Sequence, residues 1–279
     1  MTQQRKGEIF RDLHTAEGIF LMPNAWNAGS AVMLASAGFS AIGTTSAGVA
    51  FARALPDYEG ILSREAALEE TRRIVEAVDV PVSADTEDGY GHDPAVVSET
   101  VRLFADAGVV GASIEDFSAS YSDTLYDRSR AVERVHAARE AADSLDFPFT
   151  LTARAECYLI DHPNPFEESV IRANLYREAG ADCLFVPGVR DAKTITALAA
   201  EIDGPINVVM GLVGNTYTVP ELESFGVRRI SIGGSLARAT FGLIRRAAEE
   251  MRDGGTFTFA ERQVPDGDLC RLFAARLGD

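Results

Sequence analysis

Lysine is almost missing from this chain. It occurs only at Lys6 and Lys193, among 26 basic residues, so nearly all positive charge is arginine. An aldolase working through a Schiff base needs a lysine inside its site. Lys6 precedes the first apolar run and Lys193 opens a helical stretch, so that enzyme class is excluded. Cysteine is scarce too. Cys157, Cys183 and Cys270 are odd in number and show no metal-ligand spacing, which argues against a disulfide framework or a zinc site. No apolar run is long enough to span a bilayer. The polar start M-T-Q-Q-R-K-G-E-I-F-R lacks the apolar segment of a secretory signal, so the expected address is the cytoplasm. Positive charge is in deficit: the net charge is −16, which disfavours a nucleic-acid partner. An anionic substrate would need a local cation or arginine to hold it.

What the chain does have is a recurrent pattern. With 46% hydrophobic residues in 279, it can bury a large core. Short apolar runs alternate with amphipathic stretches, and the spacing predicts strands at 18–23, 40–44, 80–84, 111–115, 149–153, 183–186, 205–209 and 229–232. Helices are predicted near 28–37, 64–77, 94–107, 130–143, 166–179, 191–202, 220–224 and 236–252. Ser63 and Asp93-Pro94 are start signals, and the endings A-S-A-G-F, A-D-A-G-V and R-E-A-G-A-D place glycine where a helix closes. Eight such units predict an α/β fold, a (β/α)8 TIM barrel of parallel strands. The competing open doubly wound sheet would show a G-x-G-x-x-G turn after an early strand, and none is present. The chain reads as one domain over 1–279, with 1–17 a helix across the barrel's bottom and 253–279 a C-terminal extension.

Barrel active sites lie at the C-terminal strand ends. The third strand runs into D-T-E-D-G-Y-G, which clusters Asp85, Glu87 and Asp88. The fourth ends in Glu115 and the fifth in Arg154. Clustered carboxylates in a barrel mouth need a counter-charge. Oxygen ligands without nearby His or Cys point to a hard cation, Mg²⁺ first and Mn²⁺ as an alternative. Arg154 would then grip a substrate carboxylate bidentately, and the T-S-A-G turn at Thr45, Ser46 and Ala47 would offer it backbone N–H groups. The competing reading of Arg154 is a structural ion pair with Glu156 or Glu115; that of Asp88 is a cap or a solvated loop residue. Asp57, Trp26 and Asn207 also fall after or within strands facing the mouth.

With D-T-E-D-G-Y-G, then I-E-D, then T-A-R, and T-T-S-A-G-V-A followed by P-D, the chain resembles the isocitrate lyase/phosphoenolpyruvate mutase superfamily from P-N-A-W-N-A-G-S-A to I-S-I-G-G-S. The resemblance implies a (β/α)8 barrel, Mg²⁺, a small 2-oxo or 2-hydroxy acid and an enolate-like intermediate. By position it makes Asp85 the direct metal ligand, with Glu87 and Glu115 acting directly or through water and Asp57 outside them. It gives Thr45, Ser46 and Ala47 to a carboxylate or enolate oxygen, and Arg154 to the carboxylate. It also implies a homo-oligomer, a dimer or a tetramer, that exchanges its last helix between subunits.

The sequence departs from that pattern in the loop after the fourth strand. The lyase K-[KR]-C-G-H is replaced by E-D-F-S-A-S-Y-S-D-T-L-Y-D-R, and the Lys and Asn of the mutases are missing. Glu87 stands where Asp is usual, and Pro187 where the lyases carry glutamate. Proton transfer then falls to Tyr90, Ser120, Tyr121 or Asp123, with the loop closing over the site. The first reading is a Mg²⁺-dependent lyase cleaving a C–C bond. The alternatives are a P–C hydrolase or mutase acting on a phosphonate such as phosphonopyruvate, and a non-catalytic oxyacid-binding barrel.

Overall fold

The computed structural model of the chain describes residues 1–57, 60–119, 121–122, 124–212 and 217–275. Its strands are β1 (Phe20–Leu21), β2 (Asn24–Ala25), β3 (Ile42–Thr44), β4 (Val82–Asp85), β5 (Gly111–Glu115), β6 (Thr150–Arg154), β7 (Cys183–Phe185), β8 (Ile206–Val209) and β9 (Arg229–Ser231). All pair in parallel, in the order β1-β9-β8-β7-β6-β5-β4-β3-β2. Of the two ends of that order, β1 lies within the predicted strand 18–23 and β2 just beyond it, where a loop was expected. Met22 N–H donates to Ile230 at 2.8 Å, whereas the Pro23 carbonyl accepts from Gly43 at 2.9 Å. Pro23 has no N–H to continue the first ladder. The chain therefore changes partner at this proline and joins the last strand to the second. The result is the predicted TIM-barrel-like fold.

Alternation along the strands decides what the barrel encloses. Ile42, Val82, Ala84, Ala112, Ile114, Leu151, Ala153, Leu184 and Ile230 face the helices and form the main core. Helix 94–106 brings Val97, Val101 and Phe104 to it, and helix 64–77 brings Ile74. Many of the intervening positions are small or polar: Gly43, Ser83, Ser113, Asn207, Arg229 and Ser231 line an internal cavity, beside Phe185 and Val209. Successive strand residues point to opposite faces, so this is the lumen side.

The predicted caps form. The side chains of Ser63 and Asp93 accept from Ala66 and Ala95, and Asp191, expected inside its helix, also caps it by accepting from Thr194. Gly108 and Gly180, at φ 98° and 103°, close helices 94–106 and 165–178 in the left-handed region. Helix 3–15 closes the barrel bottom, and Phe10 lies so near Gly111 that an added Cβ would meet its ring at 2.8 Å. The T-S-A-G segment, expected as a turn, opens a seven-residue helix, Ser46–Ala52, capped by Thr45. The helix after β9, Ser235–Glu249, continues through a π-helical turn and a 3-10 turn to a final helix, Asp266–Ala274. None of 250–275 is buried. Among the described residues no helix is long and apolar enough to cross a membrane.

Candidate active site

A cavity of about 370 Å³ opens at the C-terminal strand ends, bounded by Asp57, Asp85, Glu87, Glu115 and Arg154. Asp85 ends β4 and is fixed from two sides. Its Oδ2 accepts from the Ser46 amide and hydroxyl, both at 2.9 Å, and its Oδ1 lies 3.3 Å from Arg154 Nη1. The Asp85 amide donates to Thr44 Oγ1 at 2.9 Å. The carboxylate thus takes the Ser46 N–H at the start of helix 46–52, where negative charge is favoured.

Arg154 gathers the acids. Its Nη2 lies 2.9 Å from Glu115 and its Nε 2.7 Å from Glu156, in addition to the contact with Asp85. The Phe185 ring stands 5.3 Å from the guanidinium carbon. One cation therefore serves three carboxylates at a side-chain exposure of 10%. Both the pairing with Glu115 and that with Glu156 are present, beside the cavity position that a substrate-binding arginine requires.

The acids around Arg154 outnumber it. Burial pushes the Glu87 carboxyl up to about 8, and repulsion from Asp85, Asp57 and Asp88 adds to it. Burial likewise raises Glu115 well above the carboxylate range, against the pull of Arg154. Glu156, fully inaccessible, is pushed up to about 7 by burial, and its Oε2 has no hydrogen-bond partner among the described residues. Crowded acids that hold protons near neutrality suit a hard divalent cation. Among the described residues no three carboxylate, imidazole or thiol groups converge on one ion position. The oxygen donors at the cavity wall, Asp57, Asp85, Glu87 and Glu115, would suit a hard cation bound by one or two carboxylates and otherwise by water, which is the habit of Mg²⁺.

A second layer stiffens the site. Asp116 accepts the Glu156 amide at 2.9 Å, Arg172 at 3.1 Å and the Tyr176 hydroxyl at 2.5 Å. Arg172 continues to Glu168 at 2.6 Å, and Glu168 to Arg128. On the other side Arg134 donates to the carbonyls of Asp88 and Gly91 and stacks on Tyr126 at 4.3 Å, holding the loop that carries Glu87.

The remaining expected residues are distributed unevenly. Thr45, Ser46, Ala47 and Asn207 line the cavity; Trp26 does not, and its Cβ packs against Gly48 of helix 46–52. Tyr90, at φ 61°, lines a neighbouring cavity that shares Glu87 and Glu115 as its wall. Its hydroxyl is buried without a hydrogen-bond partner among the described residues. Tyr121 is 62% exposed and lies over His92, ring centroids 4.2 Å apart. Ser120 and Asp123 lie outside the described residues. Asp88 holds its own loop, accepting from the Tyr90 amide at 2.9 Å. The cavity also receives Arg190, Arg238 and, at its floor, Arg229, which the sequence reading did not single out. For Arg229 a signal existed: in R-I-S-I the polar and apolar residues alternate, placing Arg229 and Ser231 on one face.

The family described as phosphoenolpyruvate phosphomutase matches residues 10–252. The chain belongs to this family, within the isocitrate lyase/phosphoenolpyruvate mutase superfamily that its motifs resemble. A solved protein of Burkholderia cenocepacia J2315, provisionally named a lyase/mutase, is 48% identical, with a TM-score of 0.94 over 98% of this chain and 96% of that one. The 2-methylisocitrate lyase of Escherichia coli is 28% identical, covering 90% of this chain and 84% of its own. The chloroplastic carboxyvinyl-carboxyphosphonate phosphorylmutase of Arabidopsis thaliana is 31% identical, covering 79% of this chain and 67% of its own. Lyases and mutases thus both occur among its relatives, which supports an enzyme.

Proposed function

We propose that this protein is a Mg²⁺-dependent lyase that cleaves a C–C bond of a small 2-oxo or 2-hydroxy carboxylate. The observation that carries the reading is Arg154 held among Asp85, Glu115 and Glu156 at the wall of a cavity that Asp57 and Glu87 also line. Asp85 would ligate the ion, Glu87 and Glu115 would do so directly or through water, and Asp57 would stand outside them. The bound ion would supply a Lewis acid toward the substrate's oxygens. Arg154 would orient the substrate carboxylate and offset charge developing on the neighbouring carbon. The amides of helix 46–52 that Asp85 does not occupy, with Thr45, would border the same oxygens, and Asn207 would lie deeper against the substrate. Tyr90, Tyr121 and Asp123 are the candidate proton carriers. Of these Tyr90 is nearest in kind, with a buried hydroxyl behind Glu87 and Glu115 that has no hydrogen-bond partner among the described residues.

The phosphorylmutase relative favours a second reading, P–C chemistry on a phosphonate. Incubation with Mg²⁺ and a panel of 2-oxo acids, 2-hydroxy acids and phosphonopyruvate, followed by proton and phosphorus NMR, separates the two. New carbon fragments without phosphate release support the lyase. Release or migration of phosphorus supports the second reading. No change in any substrate leaves the non-catalytic oxyacid-binding barrel.

The exposed apolar residues of the C-terminal segment support a homo-oligomer. Phe241, Ile244, Met251, Phe257 and Phe273 are between 38% and 67% exposed, and such a run is suited to cover by a second copy exchanging this helix.

A further inference from the structure

Barrel lumens are ordinarily packed with branched aliphatic side chains. Here Gly43, Ser83, Ser113 and Ser231 leave the cavity open down to Arg229. Arg229 is 2% exposed, and its contacts are all neutral. Its Nε donates to Asn207 Oδ1 at 2.9 Å and its Nη2 to Thr152 Oγ1 at 3.1 Å. Its Nη1 lies 3.0 Å from His14 Nε2. The other His14 nitrogen lies 2.8 Å from the Phe10 carbonyl and donates to it, so Nε2 is an acceptor and the ring is uncharged. Burial holds that ring's pKa down to about 3. A guanidinium has five N–H groups; the two that remain on Arg229 have no acceptor among the described residues. Ser231 accepts from Asn207 Nδ2 at 2.9 Å, which leaves its own O–H available. No carboxylate of the described residues pairs with Arg229, although buried charges are as a rule paired.

We infer that the floor of the cavity, at Arg229 and Ser231, is a binding subsite for a small monovalent anion. The anion is either an inorganic halide or the far carboxylate of a diacid whose near end lies at Arg154. The second source rests on the proposed function; the subsite itself does not, since neither Arg229 nor Ser231 belongs to the metal cluster.

The test uses the full chain stripped with EDTA. Sodium bromide is titrated in thermal melts against sodium gluconate at equal ionic strength, and wild-type crystals are soaked in bromide for anomalous scattering. A saturable rise in Tm specific to bromide is expected, with a bromide peak in hydrogen-bonding distance of the Arg229 guanidinium. In Arg229→Gln the bromide midpoint should weaken by at least about tenfold, or 1.4 kcal/mol. If that variant does not fold, the wild-type crystals decide alone, and a peak at Arg229 is sufficient support. Adding malate or succinate distinguishes the sources: loss of the peak assigns the subsite to a carboxylate, and its persistence assigns it to the halide. Bromide scattering only at other positions overturns the inference, with or without a Tm shift and whatever the metal site does.

Discussion

Arg154 stands directly across the β5–β6 ladder from Glu115 and lies 2.9 Å from its carboxylate. The register of two adjacent strands therefore sets the distance between a fixed positive charge and one wall of the acidic cavity. The same guanidinium reaches Asp85 on β4 and Glu156 just past β6, so its three nitrogens each serve a different acid. This geometry gives the predictions below.

Replacing Arg154 by Lys should keep the charge but not the fork. An ammonium is a point donor and cannot address three carboxylates from three fixed directions. We expect kcat/KM on whatever substrate the panel identifies to fall by about 100- to 1000-fold, as for loss of an oriented charge donor. Arg154→Met should also destabilise the fold by about 3–5 kcal/mol in metal-free buffer, because buried acids lose their cation. Urea unfolding checks this, and an unchanged midpoint would contradict it.

Asp116 lies behind the site and touches none of the cavity. It satisfies Arg172, Tyr176 and the Glu156 amide together. Asp116→Ala should cost about 1–3 kcal/mol of stability, since it leaves the buried Glu156 amide and Tyr176 hydroxyl without their acceptor while Arg172 keeps Glu168. Denaturant titration reads this directly.

The raised carboxyls set a pH dependence. Folded Glu87 and Glu156 titrate near 8 and 7, above the ordinary 4.5. The native state therefore holds protons that the unfolded chain has released. Stability from this source is complete below about 4.5 and is lost as pH rises through 7 and 8. Metal-free protein should melt progressively lower across that window, and Glu87→Gln should flatten part of the slope. A cation that needs the deprotonated acids should restore most stability at the alkaline end. Melts at several pH values, with EDTA and with Mg²⁺, check both.

The C-terminal segment should govern assembly. The 279-residue chain is expected to elute as a dimer or tetramer in light-scattering chromatography, and deletion of 255–279 to lower that state. A monomer of the undeleted chain at micromolar concentration would contradict the exchange.

Much of this was legible in the sequence, for physical reasons that differ by element. Strand runs such as Gly111–Glu115 are self-evident because apolar residues facing the helices recur every second position. The break at Pro23 depends on which partners β1 and β2 bond, which only the closed sheet decides. Helix 46–52 was read as a turn because its S-A-G-V-A-F-A carries no polar face and little length. Asp85, Glu115 and Arg154 were visible because charge at the end of a buried strand needs a reason. That Ser46 would give its amide to Asp85, or that Trp26 would turn to Gly48, follows from packing between distant segments.

The central claim is that a divalent cation and Arg154 together hold an oxyacid in this cavity. The most direct measurement is the melting temperature with Mg²⁺ alone, oxalate alone and both, in wild type, Asp85→Asn and Arg154→Met. Wild type should gain far more from the pair than from the sum of the two, because each binds the folded state and supports the other. Either substitution should abolish that excess. Equal, additive shifts in all three proteins would contradict the account and reduce the carboxylate cluster to a structural one.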